Sequence, residues 1–140
     1  MTKSINLVLK AGERLFINGA VLRFNRKTTV ELMSDAVFLL EGHVIQPHET
    51  TTPLRQIYFA LQTMLMDPNT VGPARGLAAS LIEAAQRTFS NLEILNGLDQ
   101  VGLLLETGRY FDAMKIIRGL YATEEAIMAN KSETASIRAA

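Results

Sequence analysis

The chain has 140 residues, no cysteine and a formal net charge of zero, with 48% hydrophobic and 20% charged residues. This length predicts one domain or two very small ones, and the composition is typical of a globular protein. The lack of cysteine excludes disulfides, thiolate nucleophiles and cysteine metal sites. The sequence contains neither an apolar run near the roughly 20 residues of a membrane span nor the apolar segment of a secretory signal. We therefore expect a soluble, cytoplasmic protein with no membrane partner.

The charge is spread unevenly along the chain. Residues 1–30 hold six basic residues and one acidic residue, whereas residues 47–130 hold six basic and nine acidic residues. A neutral total can therefore conceal a basic module beside an acidic one. This asymmetry directs the search for a functional surface to the N-terminal part.

Residues 1–46 predict an antiparallel β-meander of four or five strands. Ile5, Leu7 and Leu9 alternate with Asn6, Val8 and Lys10, which is a strand pattern. Asn18-Gly19 between two apolar runs is a strong hairpin signal, because both central residues of a type I′ turn need positive φ. This turn sets Phe16 opposite Val21 and Arg14 opposite Arg23.

The other strand registers depend on longer loops. A five-residue loop before Val30 sets Arg23 opposite Glu31, and the same logic applied to the first strand sets Lys10 opposite Arg14. The run Ala36–Leu40 fits either a fifth strand or a short helical segment. The expected core face of the sheet consists of Leu7, Leu9, Leu15, Ile17, Leu22, Phe24, Val30 and Leu32.

The hydrophobic period becomes helical after a polar connector, and residues 47–130 predict a bundle of about four helices. The fold class is therefore α+β, with the sheet first and the bundle second. Residues 131–140 are small and polar, which predicts a disordered tail. The expected helix starts are Thr52-Pro53 as N-cap and first residue, Pro73, a capping box at Ser90–Glu93, and about Arg109.

A catalytic or metal site is hard to assemble from this sequence. His43 and His48 both lie in the connector and lack the spacing of a metal pair on one helix face. The sequence contains no GxSxG motif and no glycine-rich phosphate loop. We expect a protein without enzymatic activity, metal or cofactor.

The sheet face opposite the core is the better functional candidate. Like charges on directly opposed strand positions destabilise a sheet by up to roughly 1 kcal/mol, and an anionic ligand would relieve the repulsion between Arg14 and Arg23. Phe16 on the same face would offer a ring on which a base stacks, as in proteins that bind single-stranded RNA. The candidate anion-binding residues are Lys10, Arg14, Phe16, Arg23, Arg26 and Lys27.

The alternative is that the acidic helices cover this face. Phe16, Val21 and Met33 would then form a second core layer, and the arginines would pair with helix carboxylates. The two arrangements differ in the exposure of Phe16 and in the partner of Arg14.

Four strings in this sequence resemble the FlbT family of flagellum biosynthesis repressors, in the same order as in that family. Together they span most of the chain, so the resemblance covers roughly residues 5–128. The strings are Lys10–Arg23, Thr51–Tyr58, Gln62–Pro68 and Ile116–Tyr121.

The resemblance implies post-transcriptional control of flagellin. Members associate with the 5′ untranslated region of flagellin mRNA and promote its decay, although some act positively, and they work with a small partner, FlaF. The alternative is a protein-interaction module or chaperone-like factor that binds FlaF or flagellin and affects the mRNA indirectly. The family supplies no RNA-contacting residues to transfer, so the basic sheet residues stay an expectation from the strand pattern. Exposed sheet edges would also permit a homo-oligomer.

Overall fold

A computed structural model of the chain describes residues 4–34, 36 and 38–139, so Lys3 and Val37 lie outside the described residues. Within these ranges five strands precede four α-helices, which confirms the α+β class. The strands are β1 (Ile5–Leu9), β2 (Arg14–Ile17), β3 (Ala20–Arg23), β4 (Thr28–Leu32) and β5 (Phe38–Leu40). The helices are α1 (Pro53–Met66), α2 (Val71–Thr88), α3 (Leu92–Glu106) and α4 (Tyr110–Ala139).

The central hairpin has the predicted turn and register. Asn18 and Gly19 have φ angles of 49° and 83°, as the two-residue turn requires. Phe16 lies opposite Val21 and Arg14 lies opposite Arg23. The two arginines are therefore neighbours across β2 and β3.

The other strands do not continue this hairpin into a meander. β1 pairs antiparallel with β4 in a two-stranded sheet, and β2 lies between β3 and β5 in a second sheet. The predicted pairs Arg23–Glu31 and Lys10–Arg14 are therefore wrong, and Glu31 faces Asn6 instead. The physical reason is the turn after β1, where Gly12 has a φ of 79° and the chain passes from one sheet to the other.

The two faces of β2 belong to different cores. Leu15 packs with Leu7 and Leu9 between the two sheets, and we call these three buried residues the small core. Phe16, one position further, packs with the helices. This alternation follows from the two-residue period of a strand. Most of the predicted core face lies in or against the small core, but Leu22 is 43% exposed.

The buried side chains of the helices form the larger core, which we call the helical core. Leu54, Leu98 and Ile117 are fully buried in it. α3 and α4 approach closely at Gly97, where an added Cβ would lie 2.6 Å from Leu120 Cδ1. Glu124 of α4 is also fully buried, and its Oε2 accepts the Leu54 backbone N–H at 2.9 Å. A carboxylate from α4 thus satisfies a free donor in the first turn of α1.

The helix starts agree with the sequence signals at α1 and at α4, which begins at Tyr110, one residue after the expected start, and differ by one or two residues at α2 and α3. Thr52 Oγ1 accepts the Arg55 N–H at 3.2 Å, which confirms the predicted N-cap. α2 begins at Val71, two residues before Pro73. Asn91, not Ser90, caps α3, because its side chain accepts the Ile94 N–H.

α4 continues through Ala139, where the sequence predicted a disordered tail. Residues 131–139 contain neither Gly nor Pro, so this part of the sequence has no residue that strongly disfavours a helix. No helix in the described ranges is both long and apolar enough to cross a membrane.

Candidate nucleic-acid interface

The two sheets bring the predicted basic residues to one end of the N-terminal half. Arg14 and Arg23 form the last pair of the hairpin, and Lys10 and Lys27 flank the Leu9–Thr28 pair of the other sheet. The Gly12 N–H donates to the Phe24 carbonyl at 2.8 Å and ties the two turns together. We call this set the basic end: Lys10, Arg14, Arg23, Arg26 and Lys27, all of them exposed.

A carboxylate from the following segment reaches Arg14. β5 pairs with β2 so that Leu40 faces Leu15, which places Glu41 beside Arg14. The Arg14 backbone N–H donates to Glu41 Oε2 at 3.0 Å, and Arg14 Nε donates to Oε1 at 2.9 Å. These hydrogen bonds lower the pKa of Glu41, and the charges of Arg14 and Arg23 lower it further.

The turn after β1 and Arg23 complete the surroundings of this carboxylate. The Arg23 guanidinium lies over Gly12, where a Cβ would come within 3.7 Å of Nη2. A shallow cavity of about 370 Å³ opens here. Its lining consists of Lys10, Ala11, Gly12, Glu13, Glu41 and Gly42. The basic end therefore includes a recess as well as a charged surface.

Helix α1 fixes the segment that carries Glu41. The Tyr58 hydroxyl donates to the His43 carbonyl. The buried Gln62 side chain accepts the Ile45 N–H at 2.8 Å and donates to the Ile45 carbonyl at 2.9 Å. These bonds satisfy backbone groups of His43 and Ile45 that lie outside the strands, and they attach the segment after Glu41 to α1.

Phe16 does not serve the predicted stacking role. Its side chain is only 9% exposed and packs in the helical core, so little of the ring is open to a base. The expected covering by helices thus holds for Phe16. It fails for Val21 and Met33, which are 57% and 77% exposed. Arg14 pairs with Glu41, which directly follows β5, and not with a carboxylate of helices α1–α4.

Sequence reasoning missed Glu41 as a member of the site. The available signal was the run Ala36–Leu40, interpreted as either strand or helix. Reading it as a strand paired with β2 places Glu41 next to Arg14. Both histidines are exposed, and in the part of the chain that the structure describes no three His, Asp or Glu side chains are placed to hold a metal ion.

These features define a small α+β protein with a cluster of exposed basic side chains at one end of its sheets, which pack against a helical bundle. Comparison with known proteins identifies the family within this class. The profile described as flagellar protein FlbT matches residues 5–128, so the chain belongs to the FlbT family.

Curated relatives agree with this assignment. A probable flagellum biosynthesis repressor protein FlbT of Brucella anthropi is 48% identical over 136 residues, covering 97% of this chain and 90% of the relative. A protein of the same name from Brucella ovis is 51% identical over 125 residues, covering 89% and 82%. No solved structure matches the chain.

Proposed function

We propose that this protein regulates flagellin synthesis after transcription, by binding the 5′ untranslated region of flagellin mRNA through the basic end and promoting its decay. The relatives are named as repressors of flagellum biosynthesis, which supports a flagellar regulatory role. Decay itself is assigned to nucleases of the cell, to which the bound leader is exposed.

The observation that carries the proposal is the gathering of five exposed cations at one end of the sheets. Arg14 and Arg23 face each other, although adjacent like charges are unfavourable in a sheet. Phosphates of an RNA backbone would neutralise them and release counterions. Such contacts supply affinity and orientation but not sequence choice. A preference for the leader would then arise from base contacts or from the RNA shape.

The test is a binding titration of purified full-length protein with labelled flagellin leader RNA over a salt series. We expect binding that weakens steeply between about 50 and 200 mM salt. The double variant Arg14→Gln/Arg23→Gln should bind roughly tenfold or more weakly at low salt and show a smaller salt slope.

The matched control is Arg87→Gln/Lys115→Gln, which removes two exposed cations from the helical half. It should retain most of the affinity, because its net charge equals that of the test variant but its basic end is intact. Absence of RNA binding by the wild type at low salt would refute the proposal. Equal losses in the two double variants would refute the assignment to the basic end.

A groove at the other end of the hairpin favours a second candidate function, the binding of a protein such as FlaF or flagellin. The groove has a volume of about 810 Å³ and contains the Asn18-Gly19 turn. Apolar side chains from strands and helices line much of it, among them Ile5, Phe38, Met64, Leu65, Val71 and Phe111. An apolar cleft with charged neighbours is typical of a site for an amphipathic helix.

The two candidate functions occupy separate surfaces and can be tested separately. Lys115→Glu inverts an exposed charge at the rim of the groove. If a FlaF-type protein binds there, Lys115→Glu should change its affinity and leave RNA binding almost unchanged. The Arg14→Gln/Arg23→Gln variant should show the reverse pattern.

A further inference from the structure

Glu41 has an unusual place among the charges of the basic end. Its carboxylate receives both the backbone N–H and the Nε–H of Arg14. The guanidinium of Arg23 lies over Gly12, which lines the same recess as Glu41, and its charge also lowers the pKa of Glu41. Among the described residues, Arg14 donates both hydrogen bonds that this carboxylate accepts, and the Glu41 side chain is 38% exposed.

This donor arrangement also suits a phosphate. A guanidinium and a backbone N–H bind carboxylate and phosphate oxygens in the same way, through short charge-assisted hydrogen bonds. The recess beside Gly12 and Gly42 leaves room next to the carboxylate. The Arg23 guanidinium lies over Gly12, within van der Waals distance of a Cβ placed there, so it borders the same recess.

We propose that the Glu41 carboxylate occupies a phosphate position in the free protein, and that an RNA phosphodiester displaces it between Arg14 and Arg23. This inference rests on the proposed function, since RNA supplies the phosphate. Glu41 would lower the affinity for RNA in general, so that only an RNA making further contacts binds well. The residue is thus a built-in competitor that raises selectivity.

The free-energy cost of replacing the Glu41 carboxylate by a phosphate at Arg14 is small. An exposed ion pair contributes little to stability, because water screens it and two side chains lose freedom. Rotation of the half-exposed Glu41 side chain into solvent therefore costs little. Phosphate oxygens would then accept the two hydrogen bonds that Arg14 now donates to the carboxylate.

The experiment compares wild type, Glu41→Gln and Glu41→Ala in binding a labelled oligouridylate at low salt. Removal of the competing carboxylate should tighten binding roughly three- to tenfold in both variants. The control Glu83→Gln changes the net charge equally, at an exposed position on α2, and should change the affinity less than about 1.5-fold, since Glu83 neither lines the recess nor bonds to Arg14 as Glu41 does. Circular dichroism checks that each variant is folded.

A second measurement separates this inference from the proposed function. Inorganic phosphate is titrated into each protein while the Arg14 Nε–H signal is followed by NMR. The signal should respond at lower phosphate in Glu41→Gln than in Glu83→Gln. If wild type binds RNA and Glu41→Gln binds no better than Glu83→Gln, the inference is wrong and the proposed function stands.

If neither the wild type nor any variant binds oligouridylate or leader RNA, the proposed function is wrong. The phosphate titration then remains as the test of whether Glu41 competes with an anion. A response at lower phosphate in Glu41→Gln would then still support competition for an anion position. Equal responses in Glu41→Gln and Glu83→Gln would overturn it.

Discussion

The helical half and the sheet half of this protein differ in how they are held together. Among the described residues, the helical core contains twenty buried apolar side chains, whereas the small core between the sheets contains three. Several large apolar residues of the sheets are exposed, including Val8, Val21 and Leu22. This difference indicates that the helices supply most of the stability. β2 and β5 are stabilised by the same core, because Phe16 and Leu39 pack in it.

The sharpest test of this comparison pairs one leucine from each half. Leu98→Ala empties a fully buried position of the helical core and should lower the free energy of unfolding by about 2–5 kcal/mol. Leu22→Ala should cost less than about 1 kcal/mol, since Leu22 is 43% exposed and exposed sites contribute little. Urea denaturation measures both values. Equal losses would show that the sheet half is as important for stability as the helices.

The next prediction concerns the contact that joins the halves. Gln62→Leu leaves the N–H and the carbonyl of Ile45 without their partner, which should cost about 1–3 kcal/mol of unfolding free energy. Hydrogen exchange of the Ile45 amide should become faster. Gln56→Leu, an exposed substitution on the same helix, is the control and should stay within about 0.5 kcal/mol of wild type. An unchanged Ile45 exchange rate would mean that other contacts hold the connector.

Two glycines of α3 test how tightly the helices pack. Gly97→Ala places a methyl group 2.6 Å from the Cδ1 of the buried Leu120, so it should destabilise the protein by about 1–2 kcal/mol. Gly102→Ala has open space around it and should stabilise by up to about 1 kcal/mol, because alanine favours the helix. Thermal denaturation would give shifts of opposite sign. A gain in stability for both variants would indicate a looser contact between α3 and α4.

The smallest expected effect concerns the pH dependence of the Arg14–Glu41 pair. The pKa of Glu41 in the folded protein lies below its usual value of 4.5, chiefly because of the Arg14 hydrogen bonds. The pair therefore adds stability above that value, and this contribution disappears as the pH falls through the lowered pKa. Wild type should exceed Glu41→Gln in unfolding free energy near neutral pH, and the two should converge in acid. Glu83→Gln should show no such convergence.

The sequence predicted the local features of this fold well. The Asn18-Gly19 turn determines the register of its hairpin, and Thr52 caps α1, because each depends on a few neighbouring residues. The choice of strand partners was not predictable in this way. Pairing β1 with β4 buries Leu7 and Leu9 on the same side as the expected meander would, so the alternation of apolar residues does not distinguish the two arrangements.

For the candidate site, the sequence predicted which basic residues lie near one another but not the burial of Phe16 or the position of Glu41. The basic residues were found from charge distribution and the register of one hairpin. The burial of Phe16 depends on its packing with side chains of the helices, and the place of Glu41 depends on the pairing of β5 with β2. Both are long-range contacts, which leave no periodic signal in a single sequence.

The position of β2 between two cores has a consequence for changes in chain length. Arg14, Leu15 and Phe16 face the basic end, the small core and the helical core in turn. One inserted or deleted residue within β2 would send each following side chain to the opposite face, exchanging Leu15 and Phe16 between cores of different size. The exposed loop at Asn25–Lys27 carries no such restriction, so an epitope tag or a peptide insertion should be accepted there and rejected in β2.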